Sequence, residues 1–289
     1  MKIAVSGANG YIAKNLIREL EAANHKIVSI ERRTLYNVKK LSEIIADVAV
    51  VINLAGAPIL QRWTAANKKE IMKSRVETTQ NIVKAINGLP DNKKPRIFIS
   101  ASAIGIYSPG KVHTERSPSF SNDFVGEVVQ SWENASSDLS PKVRKVIFRI
   151  GLILGKEAKT IKNLLPLFKL GLGGKIGSGT QSFPFVHIFD VVNAIIWGIE
   201  HEQARGTYNL VAPDNIDNKT FTKVLAQSVK RPAIFTVPEF ALKLVLGKAS
   251  SLLLQSPQVV PKRLLNEGFV FLFPEIKSCL AEIVKSKNK

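Results

Sequence analysis

The chain has 289 residues, 45% hydrophobic and 22% charged, an ordinary globular composition with enough length to bury a sizeable core. Its net charge of +18, from 41 basic and 23 acidic residues, suggests an anionic partner; the basic residues are scattered, and no basic heptad helix, Cys/His finger or aromatic RNA-binding motif accompanies them, so no specific nucleic-acid partner is expected. The lone cysteine, Cys279, excludes an internal disulfide, and the absence of a secretory leader pattern or an apolar run of about 18 residues predicts a cytoplasmic protein without a membrane span.

Lys2 to Ser6 (KIAVS) is a short β-branched run ending at a glycine, and Gly10 to Ala23 sets Ile12, Leu16, Ile17 and Leu20 on one helical face. Lys26 to Ile30 predicts a second strand and Val38 to Ala46 a short helix. Val48 to Leu54 (VAVVINL) is apolar almost throughout, as a strand buried on both faces of a parallel sheet requires. Trp63 to Ile86 predicts a long amphipathic helix, Arg96 to Ser100 a strand, Asp123 to Ala135 a helix and Val143 to Arg149 a strand. Strands alternating with helices at these lengths imply βαβ units with right-handed crossovers.

After Gly151 the texture changes. Gly171 to Phe185 is rich in Gly and Ser and reads as a loop. Asp190 to Glu200 predicts a helix, Thr207 to Val211 a strand, and Lys219 to Val229 a helix capped by Asn218 or Asp217. Pro238 to Leu254 reads as a helix kinked at Gly247. The expected fold is α/β: a Rossmann-like doubly wound parallel sheet with a smaller C-terminal α+β lobe. Residues 1–235 would form the dinucleotide-binding domain, with 152–235 contributing to a substrate lobe, and 236–289 a helical C-terminal segment.

The stretch Gly7-Ala8-Asn9-Gly10-Tyr11-Ile12-Ala13 lies between the first strand and the first helix. Two glycines three apart allow a tight turn and close backbone approach to a pyrophosphate, which the free N–H groups and dipole of the helix start attract. Ala13 stands where a third glycine is usual and still allows close helix–sheet packing. The second strand ends in Glu31, Arg32 and Arg33. An acidic residue there suits the ribose hydroxyls of NAD, an arginine the extra phosphate of NADP. Two arginines beside one glutamate favour NADP(H) over NAD(H), while a merely solvated strand end is the plainer alternative.

The stretches VINLAGAPI (51–59), RWT (62–64), SRVETT (74–79), SASAIG (100–105), GLILG (151–155), LGLGGKIGSG (170–179) and FVHIFD (185–190) occur in order. Together with YNLVAP (208–213) and PKRLLNEGFVFLF (261–273), they closely resemble the atypical extended short-chain dehydrogenase/reductases of the NAD-dependent epimerase/dehydratase family, including that family's C-terminal domain of unknown function. The resemblance implies a Rossmann fold, bound NADP(H) and a small substrate it leaves undefined. It assigns Gly7, Asn9, Gly10, Tyr11 and Ile12 to the pyrophosphate turn, and Arg32, beside Arg33, to the 2′-phosphate. Leu54, Ala55 and Gly56 would pass under the adenosine ribose. Ser100, Ala101 and Ser102 would lie near the nicotinamide, and His187 and Asp190 on the substrate side, where capping of the core is an equal alternative. One departure is that only Thr34 to Asn37 stands where the family places a further strand.

The superfamily's chemistry needs a tyrosine acid/base with a lysine four residues on along a helix. The helix that should carry them has Phe124 and Val128 instead, and Tyr107 and Lys111 have Pro109 and Gly110 between them. Ser102, with Ser100 as runner-up, remains to orient a substrate oxygen, and Tyr107 to donate a proton. Glu127 is a weaker acid/base candidate that a solvated helix face explains better. His25, His113 and His201 have no metal-ligand spacing and are expected at the surface; no metal is expected. The readings left open are an NADP(H)-dependent oxidoreductase or epimerase, a catalytically silent NADP(H) sensor, and a basic adaptor for nucleic acid or a membrane surface, as a monomer or homodimer.

Overall fold

A computed structural model of the chain describes residues 1–285. In chain order its main elements are β1 (Lys2–Ser6), α1 (Tyr11–Ala22), β2 (Lys26–Ile30), α2 (Val38–Ile45), β3 (Val50–Asn53), α3 (Ala65–Asn87), β4 (Ile97–Ala103), α4 (Phe124–Asn134), β5 (Arg144–Ile150), α5 (Lys159–Lys169), α6 (Ile188–Glu200), β6 (Gly206–Leu210), α7 (Asn218–Ser228) and α8 (Glu239–Leu246). The six strands form one parallel sheet in the order β2-β1-β3-β4-β5-β6. The winding direction reverses between β1 and β3. In open α/β sheets ligands bind above the carboxyl ends of the strands at such a switch point.

Alternation along the strands sends side chains to two cores. Ile3, Val5, Val50 and Ile52 pack with Leu16 and Leu20 of α1 and with Val191 and Ile195 of α6. Ala4, Val51 and Phe98 face the opposite way, onto Leu41 and Ile45 of α2 and Ile82 and Ile86 of α3. Burial on both faces explains why β3 shows no polar alternation. Thr34–Tyr36 forms a single 3₁₀ turn, so the sheet ends at β2, in keeping with the shortened sequence there.

The smaller lobe has its own core, in which Phe168 of α5, Phe221 and Leu225 of α7, and Ile276, Leu280 and Ile283 of the last helix (Ile276–Lys285) meet. Three short parallel pairings belong to it or lead into it: Leu152–Leu154 with Phe185–His187, Gly174–Ile176 with Phe235–Val237, and Val112–His113 with Gln258–Val259. Two expectations are corrected here. The Gly/Ser-rich stretch 171–185 contains the strand Gly174–Ile176, held because Phe235–Val237 supplies the missing ladder. His113, expected at the surface, is buried, because its strand pairs with Gln258–Val259 and its ring stacks on Tyr107 at 4.7 Å. The α7 cap is Asp217, whose Oδ1 accepts from the Thr220 N–H at 2.7 Å. The chain turns at Gly247 (φ +59°) after α8. No helix among the described residues is long and apolar enough to cross a membrane.

His187 and Asp190 fasten the C-terminal segment to α6. The Asp190 carboxylate accepts from the backbone N–H groups of Leu272 (2.6 Å) and Phe273 (3.1 Å), and burial raises its pKa against the pull of those bonds. His187 caps α6 and meets Glu282 at 3.1 Å. Burial holds its imidazole below the ordinary pKa of 6.5, although Glu282 pulls the other way. A depressed histidine pKa stabilises the fold above pH 6.5, and that contribution is lost as the pH falls through the lowered value. His187→Asn, which keeps a capping acceptor, is expected to flatten the decline in stability as the pH falls below 6.5 relative to the unmodified chain. Urea titrations at a series of pH values would show it; parallel curves would refute it.

Candidate functional site

The first βα turn is built on close contact. Gly7 has φ +69°, and a Cβ there would stand 2.8 Å from the Leu54 carbonyl oxygen, so only glycine lets β1 turn so tightly over the end of β3. The Gly10 N–H donates back to the Gly7 carbonyl at 2.8 Å. Gly10 is the N-cap of α1, with no side chain bonded over the helix mouth and no acidic residue in the first turn. Asn9 and Gly10 are exposed; Tyr11 and Ile12 are half-buried. An open helix mouth with a glycine approach fits a diphosphate. Burial pushes the Tyr11 phenol up to about 12, which keeps it neutral beside the loop at Gly155.

Beneath the turn, Ser6 Oγ donates to Asn53 Oδ1 (2.7 Å) and accepts from the N–H groups of Leu54 (3.1 Å) and Ala55 (3.2 Å). Asn53 Nδ2 donates to Thr79 Oγ1, which also accepts from the Trp132 indole N–H at 3.1 Å. A polar line therefore runs from the glycine turn through β3 and α3 to α4. At the far edge, Arg32 and Arg33 are exposed at the end of β2; Arg32 pairs with Glu70 of α3, and Arg33 with Glu31 at 2.7 Å.

Above the ends of β4 and β5 lies a cavity of about 340 Å³. Its wall includes Val125, Val128, Val129 and Trp132 of α4, Ile150 at the end of β5, and Leu252 from the C-terminal segment. Gly105 lies so close to Val125 that a Cβ would fall 2.6 Å from its Cγ1. The position expected of a lysine is thus an apolar wall, Val128. Phe124 instead packs edge-on against Trp63.

Tyr107 reaches this cavity, and its hydroxyl belongs to a buried network that sequence reasoning did not foresee. Arg149 Nη1 donates to the Tyr107 hydroxyl at 2.7 Å, which in turn bonds to Asn209 Oδ1 at 2.8 Å. Arg149 grips Glu133 of α4 with Nε and Nη2, at 2.8 and 2.7 Å, and Ser102 Oγ donates to the same carboxylate at 2.5 Å. Burial alone would lower the Arg149 pKa, and Glu133 reverses that and raises it. Burial raises the Tyr107 phenol above its ordinary value although Arg149 pulls it down. Arginine in the apolar strand VIFRI was the visible signal, because a charge at a core-facing strand position must be paired.

The structure thus brings Ser102 and Tyr107 together through Glu133 and Arg149. Ser100 and Ala101 are buried on β4, with Ser100 Oγ bonded to the Ala101 carbonyl at 3.1 Å. His187 and Asp190 are not on the cavity wall. Glu127 is exposed. Lys111 is also exposed and separated from Tyr107 by the turn at Gly110 (φ +78°). No cluster of metal-ligating side chains occurs among the described residues.

A doubly wound parallel sheet with a glycine turn at its switch point defines a Rossmann-type nucleotide-binding protein. The chain belongs to the NAD dependent epimerase/dehydratase family, whose model matches residues 3–210; residues 237–283 match a domain of unknown function, DUF1731. It is 33% identical to the mouse epimerase family protein SDR39U1 over 98% of this chain and 100% of that one. It is 32% identical to the chloroplastic SDR39U1 homolog of Arabidopsis thaliana over 99% of this chain and 87% of that protein. It also superposes on the crystal structure of human SDR39U1 (isoform 2) with NADPH, with a TM-score of 0.93 and 30% identity over 99% of this chain and 100% of that one.

The Arg149–Glu133 pair gives a direct test of the network. Glu133→Gln leaves a guanidinium buried without its counter-charge, and chemical denaturation is expected to show a loss of about 3 kcal/mol. An unchanged unfolding midpoint would mean that the pair is not held as described.

Proposed function

We propose that this chain binds NADP(H) across the switch point and acts as an oxidoreductase or epimerase on a small substrate in the cavity. The observation that carries the reading is the uncapped mouth of α1, placed over the β3 end by the Gly7–Leu54 contact. The likeness to a human protein crystallised with NADPH supports it. Gly7 to Ile12 would hold the diphosphate through backbone N–H groups, Leu54 to Gly56 would flank the ribose, and Arg32 with Arg33 would meet the 2′-phosphate. Ser100 and Ala101 would underlie the nicotinamide end, and the bound nicotinamide would supply hydride chemistry there.

The chain's own contribution is to exclude water with the α4 wall and to position a substrate oxygen. Ser102 and Tyr107 are the candidates for that oxygen, with both hydroxyls anchored to the Arg149–Glu133 pair. A silent NADP(H) sensor is the second reading, favoured by Phe124 and Val128 at the positions of the missing tyrosine and lysine. Single-turnover measurements of NADPH oxidation with a panel of carbonyl compounds separate the two: consumption supports turnover, and saturable binding without consumption supports sensing.

Fluorescence titration is expected to show saturable binding, with NADPH preferred over NADH. Arg32→Ala is expected to reduce the preference about tenfold by weakening NADPH alone, since a charge-assisted phosphate contact is at stake. Absence of saturable binding of either nucleotide would overturn the proposal.

A further inference from the structure

We propose that the outer face of the smaller lobe docks on an anionic lipid bilayer, with lysines against the headgroup phosphates and an apolar ridge in the interface. Two stretches distant in sequence build this face, 169–181 and 218–254. Together they carry eight basic residues and one acidic residue, Glu239. Basic residues scattered along the chain are gathered here by three contacts. Arg231 Nε donates to the Lys169 carbonyl at 3.2 Å, Phe235 pairs with Gly174, and Glu239 lies against Gly177, where a Cβ would stand 3.0 Å from its Oε1.

A hollow of about 580 Å³ opens on this face. Its lining includes Lys175, Lys219, Lys223, Lys230 and Arg231, and no acidic side chain. None of the five takes part in the ion pairs among the described residues. Like charges around one hollow repel one another, and a counter-anion relieves that repulsion.

The apolar ridge continues from the hollow into α8. The helix reads EFALKLVL, with six apolar residues of eight, yet none of its residues is buried. Polar groups hold it instead. Arg62 donates to the carbonyls of Leu244 (2.7 Å) and Val245 (3.0 Å), and the Gly177 N–H donates to the Val237 carbonyl just before the helix. Phe240 is 72% exposed and Leu244 73%, one turn apart on the same helix face. Ile234, on the rim of the hollow, is 78% exposed, and Leu170, next to the Arg231–Lys169 bond, 72%. Single exposed apolar side chains are ordinary, but a group of them beside unpaired cations marks a contact surface.

Charge and chemistry together select the partner. A second copy of this chain would set the same lysines against one another across a two-fold contact. A nucleic acid would answer the charges and leave Phe240 and Leu244 in water. An anionic bilayer answers both. Each lysine or arginine near such a surface contributes about 1 kcal/mol, and apolar side chains on a protruding helix enter the headgroup boundary without needing a shaped pocket. None of the cationic or exposed apolar residues of this face lines the cavity above β4 and β5, so the two surfaces are separate.

The test uses the full chain and sedimentation with vesicles of phosphatidylcholine, alone or mixed with phosphatidylglycerol. The mixed vesicles are expected to bind at least about tenfold more tightly than the neutral ones, with the preference shrinking as salt is raised. Lys223→Glu with Lys230→Glu should weaken that binding at least about tenfold. Phe240→Ser with Leu244→Ser should weaken it about as much. Both double variants change exposed side chains, and unchanged melting temperatures show that they fold. In Phe240→Trp, brominated lipid in the mixed vesicles should quench fluorescence beyond the quenching of the unmodified chain. Equal binding to neutral and mixed vesicles, or none to either, overturns the proposal. So does binding that Phe240→Ser with Leu244→Ser leaves intact, which would be adsorption by charge alone. A dimer in sedimentation velocity that the same variant dissociates gives the face to a second copy and also overturns it. A duplex DNA affinity that exceeds the vesicle affinity and ignores Phe240 and Leu244 does so as well, by giving the lysines to nucleic acid.

Discussion

The contact between Gly7 and the carbonyl of Leu54 sets the geometry from which the rest of the site is built. At 2.8 Å, the space for a Cβ does not exist, and the φ of +69° already asks for glycine. This contact fixes the height of the α1 mouth over the sheet. Ser6 Oγ fixes the same junction from below by bonding to Asn53 and to the amides of Leu54 and Ala55. Through Asn53, Thr79 and Trp132, the nucleotide end and the cavity wall then share one polar line. Buried polar groups satisfied in series make a stiff connection, because displacing one leaves another unpaired. The two halves of the site are therefore positioned by the same residues.

The cavity shows a second constraint. Where a tyrosine and a lysine would stand on α4, the helix presents Phe124 and Val128, so the polar groups of the site come from strands and from the far end of the helix. Glu133 follows Trp132 of the wall directly, at the C-terminal end of α4, and it holds Ser102 and Arg149 at once. Arg149 in turn holds Tyr107. Burial works against ionising that phenol, and the guanidinium beside it works for ionisation. Tyr107 is thus a neutral hydroxyl whose proton already has acceptors in Asn209 and the Thr114 carbonyl. A substrate oxygen that approaches Tyr107 has to compete with these acceptors.

The architecture was legible because its signals are local. The apolar run VAVVINL requires a strand covered on both faces, and KIAVSG followed by an amphipathic helix requires a βα turn. The ordered motifs then pointed to the family. The network was not legible, because it joins Ser102, Tyr107, Glu133, Arg149 and Asn209 from five places in the chain. Only Arg149, a charge inside an apolar strand, signalled that something must pair there. His113 was misplaced for a related reason: its two-residue strand exists only because Gln258–Val259 comes back to meet it across about half of the sequence. Pairings of that range leave no period in the sequence to read.

The same reasoning bears on the C-terminal segment, which departs from the helix–strand alternation before it yet is joined to the sheet by carboxylates. Asp190 holds the amides of Leu272 and Phe273, and Glu115 accepts from the amides of Asn209 and Arg263. Asn209 also donates to the Val260 carbonyl, so one side chain serves both the Tyr107 hydroxyl and the returning segment. A carboxylate buried against backbone N–H groups is stable only while those groups are in place. Loosening the segment would therefore uncover charges beneath it as well as apolar surface, and it would release Asn209 from the hydroxyl at the cavity. Leu252, on that segment, is part of the wall. The residue that closes the cavity and the one that holds its hydroxyl network are thus fastened to the same C-terminal segment.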